Sequence, residues 1–515
     1  MQREEPRPTV LVIDFGGQYA HLIARRIREL GVFSVLSPAA WGLEYIKSIG
    51  EKRSIVGIVL SGGPSSVWEE NHDEIALWAL RLGVPVLGIC YGHQLLAKVL
   101  NGRVGKAPRG EFGPTKIEVL DEDVILRGHG PSFIGWMSHN DAVLEAPPDV
   151  KVLARSPGSP VAAFSYRGLV FGVQWHPEVI HSEHGDKLFR NWLELTGALG
   201  TWSPADLIGE LVEYVSREIG EDKAVAAVSG GIDSTVAAII AKKALGDRLI
   251  PVFIDHGLHP EGEVENALRL LRRVGLDPIV IDASDEFLEA LSGITDPEEK
   301  RRIVGRLYGQ ILEREALSLG ANYLIQGTIY PDVIESGARP GADVIKTHHN
   351  VGGLPQLRIK VVEPLKWLYK DEVRAIARKL GLPLEVWKYK QPIPGPGLAV
   401  RIEGEVTREK LAILRKADSI VREEIERHRL HGELWQYFAI LTASRATGVK
   451  GDRRAYGYVV AVRILESRDA MTARPARIPW DVLETIAARI TGEIPEVVRV
   501  VYDITPKPPA TIEWE

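Results

Sequence analysis

The chain reads as α/β: two doubly wound parallel-sheet domains followed by a smaller α+β domain. Three observations predict this. Short apolar runs recur, each ending in a glycine-containing turn and leading into an amphipathic helical stretch, and this grammar appears twice with no fixed-period repeat. Two turn-rich stretches, 196–204 (TGALGTWSP) and 391–398 (QPIPGPGL), punctuate the chain. Beyond the second, the alternation changes to strands set around a long charged helix. The resulting division is 1–200, 201–395 and 396–515.

In the first segment the strand-like runs are 9–15, 54–60, 84–90 and 169–174, with helical stretches at 19–30 and 75–82. Strand, glycine turn and helix in that order mark a parallel sheet with helices on its faces. The second segment repeats the order with runs at 224–228, 249–255, 278–283 and 323–326. In the third, a strand-like LAVRIEG (398–404) precedes a helix over 407–429. Strands at 437–441 and 456–465, a helix near 480–489 and a last strand at 497–504 follow.

Composition narrows the function classes. With 45% hydrophobic and 26% charged residues the 515-residue chain can build several cores, which excludes disorder as its main state. The 63 Lys and Arg against 69 Asp and Glu, net −6, argue against nucleic acid as partner. No apolar run approaches the ~18–20 residues that span a bilayer, and MQREEPRP has no apolar leader core, so the expectation is a soluble, cytoplasmic protein without a membrane partner. One cysteine, Cys90, excludes an intrachain disulfide and a cysteine metal cluster.

That cysteine stands in GICYGHQ, with an apolar strand running into it and a helical pattern (Leu95, Leu96, Val99) running out. G-x-C-x-G parallels the serine nucleophile elbow, where glycines relieve a sharp strand-to-helix turn and expose the nucleophile. The helix start favours negative charge on the sulfur and offers N–H groups to an oxyanion. A thiol nucleophile needs an oriented imidazole, and His176 with Glu178, in VQWHPE just after a strand, supplies one.

A second constellation, AAVSGGIDST (226–235), lies between a short strand and a helix. Its paired glycines and small hydroxyls let the backbone of Ser229, Gly230, Gly231, Ile232, Asp233, Ser234 and Thr235 converge on an anion at a helix start. The Walker lysine is missing, which disfavours γ-phosphate transfer. Phe253–Asp255 and 326–332 end later strands on the side where α/β sheets bind ligands.

The segments GICYGHQ, SGGPSSV (61–67), MSHND (137–141) and GVQWHPEV (172–179) resemble a class I glutamine amidotransferase domain. The resemblance implies that Cys90 attacks the glutamine amide, His176 moves the proton and Glu178 orients His176. Gly63 and Tyr91 would form the oxyanion hole, and Gln94, Ser138 and His139 would hold glutamine. SGGIDST is similar to the loop of ATP pyrophosphatases, which leave AMP on their substrate and release pyrophosphate; Asp233 would lie beside Mg²⁺, and Lys346, in a lid over 345–353, would face the phosphates. With QPIPGPGLAVR, GDRRAYGYVVAVR and KPPATIEWE in this order, the chain from Thr9 to Glu515 resembles the glutamine-hydrolysing GMP synthetase family. That likeness implies substrates glutamine, ATP and XMP, activation of XMP as an adenylate, and amination to GMP. It further implies a homodimer through the third domain, and XMP bound by Asp452, Arg454, Lys507 and Glu513, with Lys and Arg suited to its phosphate.

One stretch departs from the family. HGLHPEGE (256–263) lacks the arginine or lysine common in this loop and linked there to the substrate phosphate, so the contact is expected from Arg454, Lys507 or another residue. Competing readings lack their marks. A transfer-RNA modifier should show basic patches or more cysteines, NAD synthetase lacks the third domain and the elbow cysteine, and a non-enzymatic descendant would most cheaply lose Cys90, His176 or the SGGIDS residues.

Overall fold

The computed structural model describes residues 7–51, 53–335, 358–387, 391–432, 434–467 and 473–515. They form two compact units, Met1–Asp206 and Leu207–Glu515.

The first unit is built on nine strands: β1 (Pro8–Asp14), β2 (Phe33–Pro38), β3 (Ser54–Leu60), β4 (Val86–Ile89), β5 (Arg103–Val119), β6 (Ser132–Glu145), β7 (Val150–Arg155), β8 (Ala163–Tyr166) and β9 (Val170–Val173). Their order is β2-β1-β3-β4-β9-β8-β7-β5-β6. The five from β2 to β9 pair in parallel. Four of them, β1, β3, β4 and β9, are the apolar runs read from the sequence, because nearly every central residue is buried; β2 is not among those runs. The remaining strands extend this sheet as an antiparallel arm. The sequence hides that arm: β6 alternates buried and exposed residues, and β5 carries glycines, prolines and charges, the pattern of strands wet on one face.

The second unit holds two sheets. β10 (Ala224–Ala227), β11 (Leu249–Asp255), β12 (Ile279–Asp282), β13 (Tyr323–Ile325) and β14 (Lys360–Val362) are all parallel, in the order β12-β11-β10-β13-β14. The strand order reverses beside β10, so the loop after β10 opens at the switch point where such sheets take ligands. The other sheet comprises β15 (Gln436–Lys450), β16 (Arg453–Glu466), β17 (Arg474–Pro475) and β18 (Val497–Tyr502), with β15 and β17 antiparallel to β16 and β18 parallel to it. Helices Arg408–Arg427 and Trp480–Glu493 pack on it. One apolar core, from Val225 through Leu398 to Val497, joins the two sheets.

The strand expected at 398–404 is not there. Gly397–Arg401 is a 3-10 turn, and only Ile402 bridges to Leu441. The cause is Arg401, whose guanidinium is buried against the Phe438 ring and held by Glu513 and Asp418. A buried charge must be fully paired, and the backbone bends to reach its partners.

Candidate active sites

In the first unit, β4 ends at Ile89 and the helix Tyr91–Val99 begins two residues later, leaving Cys90 as the corner with φ 52° and ψ −104°. A non-glycine residue stays in that region only when its surroundings enforce it. The Cys90 N–H donates to Val173 O (2.8 Å) and the Gly92 N–H to Ser61 O (3.0 Å), tying the corner to the ends of β9 and β3. A methyl on Gly88 would lie 2.5 Å from Gly92 O, and one on Gly92 would lie 2.2 Å from Leu60 O. Both glycines are therefore steric requirements of the turn.

The three residues expected to work together converge. His176 Nδ1 meets Glu178 Oε1 at 2.7 Å, both buried, while the ring lies close enough to Cys90 for the sulfur to act on it electrostatically. The His176 backbone is pinned by Trp136 O (2.9 Å) and Ser182 Oγ (2.5 Å), and Tyr19 sets its ring edge-on at 5.1 Å. Burial works against the imidazolium, yet the Glu178 carboxylate and the Cys90 sulfur outweigh it and hold His176 well above the usual histidine range. Gly62 packs against both partners: a methyl there would sit 2.9 Å from His176 Cε1 and 3.7 Å from Cys90 Cβ. Trp175 is buried against Phe133 and Gly135.

Gly63 and Tyr91 are neighbours, since a methyl on Gly63 would lie 3.3 Å from Tyr91 Cγ. Tyr91 is the first helical residue, so its N–H has no acceptor within the helix. Its hydroxyl meets His72 Nδ1 at 2.9 Å. Gln94 is buried, and its Nε2 donates to Asp141 O (2.7 Å) and Gln174 Oε1 (3.2 Å). Ser138 is exposed on β6, and its carbonyl lies 3.7 Å from Cys90 Sγ. His139 faces inward instead, with Nδ1 on Asp141 O (2.9 Å) and Nε2 on Glu111 Oε2 (3.1 Å). Glu111 in turn accepts from Ser156 Oγ (2.6 Å) and the Gly158 N–H (2.9 Å); despite burial, the His139 bond first, then these two, hold its carboxyl below the usual range. This Glu111–His139 hub is invisible in the sequence because Glu111 and Ser156 are far apart along the chain and carry no motif. Gln174 lies inside GVQWHPEV, but nothing near it in the chain names its partners.

In the second unit, β10 feeds the turn 228–231 and the helix Ile232–Leu245, capped by Gly231. The loop closes on itself: Ser229 N–H and Oγ reach Ser234 Oγ at 3.2 and 3.1 Å, and the Gly231 N–H reaches Ser229 Oγ at 3.3 Å. Gly327, after β13, passes so close that a methyl would lie 2.7 Å from the Ser234 nitrogen. Ser229, Gly231, Ile232, Asp233 and Ser234 line a cleft of about 670 Å³; Gly230 turns the chain with φ 71°, and Thr235 is buried in the helix. Asp233 forms an ion pair with Lys370, and its Oδ1 is buried with no hydrogen-bond partner among the described residues. Lys370 and Arg374, two cations facing the cleft, escape sequence reasoning because they sit on an unremarkable amphipathic helix, Lys370–Lys379. Lys346 and the expected lid at 345–353 lie outside the described residues.

The four residues expected at XMP fall into two groups. Lys507 is held by an antiparallel bridge to Ala473, with N–H···O of 2.8 and 3.1 Å. Glu513 forms a two-pronged pair with Arg401 at 2.8 and 2.9 Å. Buried Arg463 gathers the same tail through the carbonyls of Thr505, Thr511 and Ile512. Asp452, with φ 58°, and Arg454 instead stand exposed at the far tip of the β15–β16 hairpin. Arg454 precedes Arg463 by about nine strand residues, roughly 30 Å at ~3.3 Å per residue. One chain does not bring the pairs together. At the departing loop, Arg415 of the third segment donates to His259 O (3.0 Å) and Gly257 O, and the rings of His256 and His259 stack at 3.8 Å.

Comparison with known proteins adds three family matches. Residues 11–195 match glutamine amidotransferase class-I, 205–316 match NAD synthase, and 423–514 match the GMP synthase C terminal domain. The chain is 66% identical to a GMP synthase (glutamine-hydrolyzing) of Aeropyrum pernix, covering 99% of both chains. It is 50% identical to one of Pyrobaculum aerophilum, covering 98% of this chain and 99% of that one. Among solved structures, a glutamine amidotransferase of Thermotoga maritima is 24% identical over 36% of this chain and 81% of its own, with a TM-score of 0.29.

Proposed function

The chain belongs to the glutamine-hydrolysing GMP synthase family, and from that premise we propose which of its residues perform the reaction ATP + XMP + glutamine + water → AMP + pyrophosphate + GMP + glutamate. The observation that carries the proposal is the corner at Cys90, with His176 close by and Glu178 bonded behind it. We divide the labour as 1–200 glutaminase, 201–395 ATP pyrophosphatase and 396–515 dimerisation and XMP binding.

Cys90 Sγ attacks the side-chain amide carbon of glutamine while His176 takes the thiol proton. The backbone N–H groups of Gly63 and Tyr91 receive the oxyanion. His176 returns the proton to the departing ammonia, then takes one from the water that resolves the thioester to glutamate. Glu178 holds the imidazole in the tautomer this shuttle needs. Gln94 and Ser138 border the glutamine pocket, and His139 contributes by anchoring the strand between them.

In the second unit the 229–235 backbone cradles the ATP phosphates, with Lys370, Arg374 and Lys346 as cations. The 2-oxygen of XMP attacks the α-phosphorus, pyrophosphate leaves, and ammonia displaces AMP from C2. Magnesium suits this loop, because the unpartnered buried oxygen of Asp233 is the hard donor the ion takes, and when bound it would neutralise phosphate charge. Lys507 and Glu513 hold XMP, and Arg401 presents Glu513. Because the hairpin tip is remote from the tail of its own chain, we assign Asp452 and Arg454 to the XMP of a second copy in a homodimer. A free nucleophilic thiol and nucleotide substrates suit the reducing cytoplasm.

The test is a product assay with XMP, ATP and Mg²⁺, run with glutamine or ammonium, on wild type and Cys90→Ala. GMP, AMP and pyrophosphate are expected in every reaction except Cys90→Ala with glutamine. ADP and phosphate, or no GMP from either nitrogen source, would overturn the proposal.

A further inference from the structure

The Cys90 sulfur has a neighbour with no part in the chemistry above. Gln174 Nε2 lies 3.7 Å from Sγ, within reach of an N–H···S hydrogen bond, and Gln174 is 0% exposed. Which end of this amide faces the sulfur follows from its partners. Gln94 Nε2 donates one hydrogen to Asp141 O and the other to Gln174 Oε1, so Oε1 is the acceptor and Nε2 is left toward Cys90. A buried amide N–H without an acceptor is costly, and among the described residues the sulfur is the acceptor Gln174 Nε2 has.

We propose that Gln174 is a further catalytic residue of the glutaminase site, donating its side-chain N–H to Cys90 Sγ and so favouring and aiming the thiolate, with Gln94 as the positioning residue that fixes the amide. The inference rests on the reading of Cys90 as nucleophile. Sγ stands between two opposed groups: the Ser138 carbonyl, which can only accept an S–H, and the Gln174 N–H, which strengthens as charge grows on sulfur. When His176 takes the proton, the first contact is lost and the second becomes charge-assisted. When the thioester forms, the charge leaves the sulfur and the bond relaxes. The titratable groups around the sulfur are His176, with Glu178 behind it, and on the following helix Tyr91 and His93, which are bonded to His72 and Val161 O.

Cys90 is the only cysteine, so alkylation by iodoacetamide reports on this one sulfur. Gln174→Glu is nearly isosteric and keeps an acceptor for Gln94 while removing the N–H; Gln174→Met removes the donor without adding charge. In both, ammonium-driven GMP formation is expected to stay at the wild-type rate, which shows the second unit intact, and a wild-type urea-unfolding midpoint is expected for the first. Alkylation at pH 7 is expected to fall about tenfold in the Glu variant and about threefold in the Met variant, with the pH profile displaced upward. Glutamine-dependent kcat should fall in parallel, and KM for glutamine should hold. A wild-type alkylation profile in both variants overturns the inference, whatever the glutaminase rate does, because the N–H would then have no hold on the acidity of the sulfur. If alkylated wild type still uses glutamine, it is the reading of Cys90 as nucleophile that fails.

Discussion

The chain makes the same local figure twice, a strand running through a glycine turn into a helix, and finishes it in opposite ways. At Cys90 the turn is tied outward, with the Cys90 and Gly92 N–H groups committed to the ends of neighbouring strands. At 229–235 it is tied inward, the hydroxyls of Ser229 and Ser234 bonding each other and the loop's own N–H groups. A nucleophile must be aimed before its substrate arrives, since small displacements at a reacting atom cost large factors in rate. A phosphate brings several oxygens and can replace serine hydroxyls on the loop as it binds. The first turn is finished by the fold; on the function proposed above, the second is left for its ligand to finish.

Glu178→Gln should show the largest difference between the two turns. If the elbow's power lies in a preset Cys90–His176–Glu178 line, losing the carboxylate should cost glutamine-dependent synthesis on the order of 10³-fold. Ammonium-driven synthesis should be untouched. Equal loss from both nitrogen sources would mean that Glu178 supports the fold and not the proton shuttle.

Gly92→Ala against Gly231→Ala tests the same contrast in stability. The first methyl meets a backbone oxygen at 2.2 Å, so about 3 kcal/mol or more of destabilisation is expected. The second meets only the end of the Ser229 side chain, at 3.3 Å, and should cost less than about 1 kcal/mol. Urea unfolding of the two variants measures both, and similar losses would show that the loop is as rigid as the elbow. Next in size, Asp233→Asn leaves the loop's hydroxyl bonds in place but removes a charge shared with Lys370. XMP- and ATP-dependent GMP formation should fall about 10²-fold with either nitrogen source, while alkylation of Cys90 keeps its wild-type rate.

How much of this is legible in the sequence follows from the range over which each signal acts. Strands buried on both faces, such as β1, β3 and β11, announce themselves as apolar runs, and Cys90, His176 and SGGIDST declare their chemistry within a few residues. The antiparallel arm does not, because β5 is spelled in glycines, prolines and charges. Nor does the bend at 397–401, which exists because Arg401 meets Glu513 more than a hundred residues later. Gln174, Lys370 and Arg415 belong to the same class. Each is an ordinary residue by its neighbours in sequence and is singled out only by its neighbours in space.

The smallest expected effect concerns what lies beneath each turn. The elbow helix buries His93, its Nε2 on Val161 O at 3.0 Å, and burial pushes its pKa down to about 3; the loop helix buries neutral Thr235 at its start. His93 is therefore uncharged in the folded state across a range where an unfolded chain, near pH 6.5, has already taken a proton. Between those values the unfolded state binds more protons, so the stability His93 contributes is complete above about pH 6.5 and drains away by about 1.4 kcal/mol per pH unit as pH falls toward 3. His176 has the opposite sign: its raised pKa adds stability below about pH 6.5 that is lost as pH climbs through the folded value. Replacing His93 by Gln, which can still donate to Val161 O, removes the acid-side slope. Wild type should be the more stable protein at pH 7.5, and the gap measured by denaturant midpoint should narrow steadily from pH 6.5 to pH 5. A gap that holds constant over that interval would mean that acid reaches His93 in the folded protein, and that the elbow is softer underneath than its hydrogen bonds suggest.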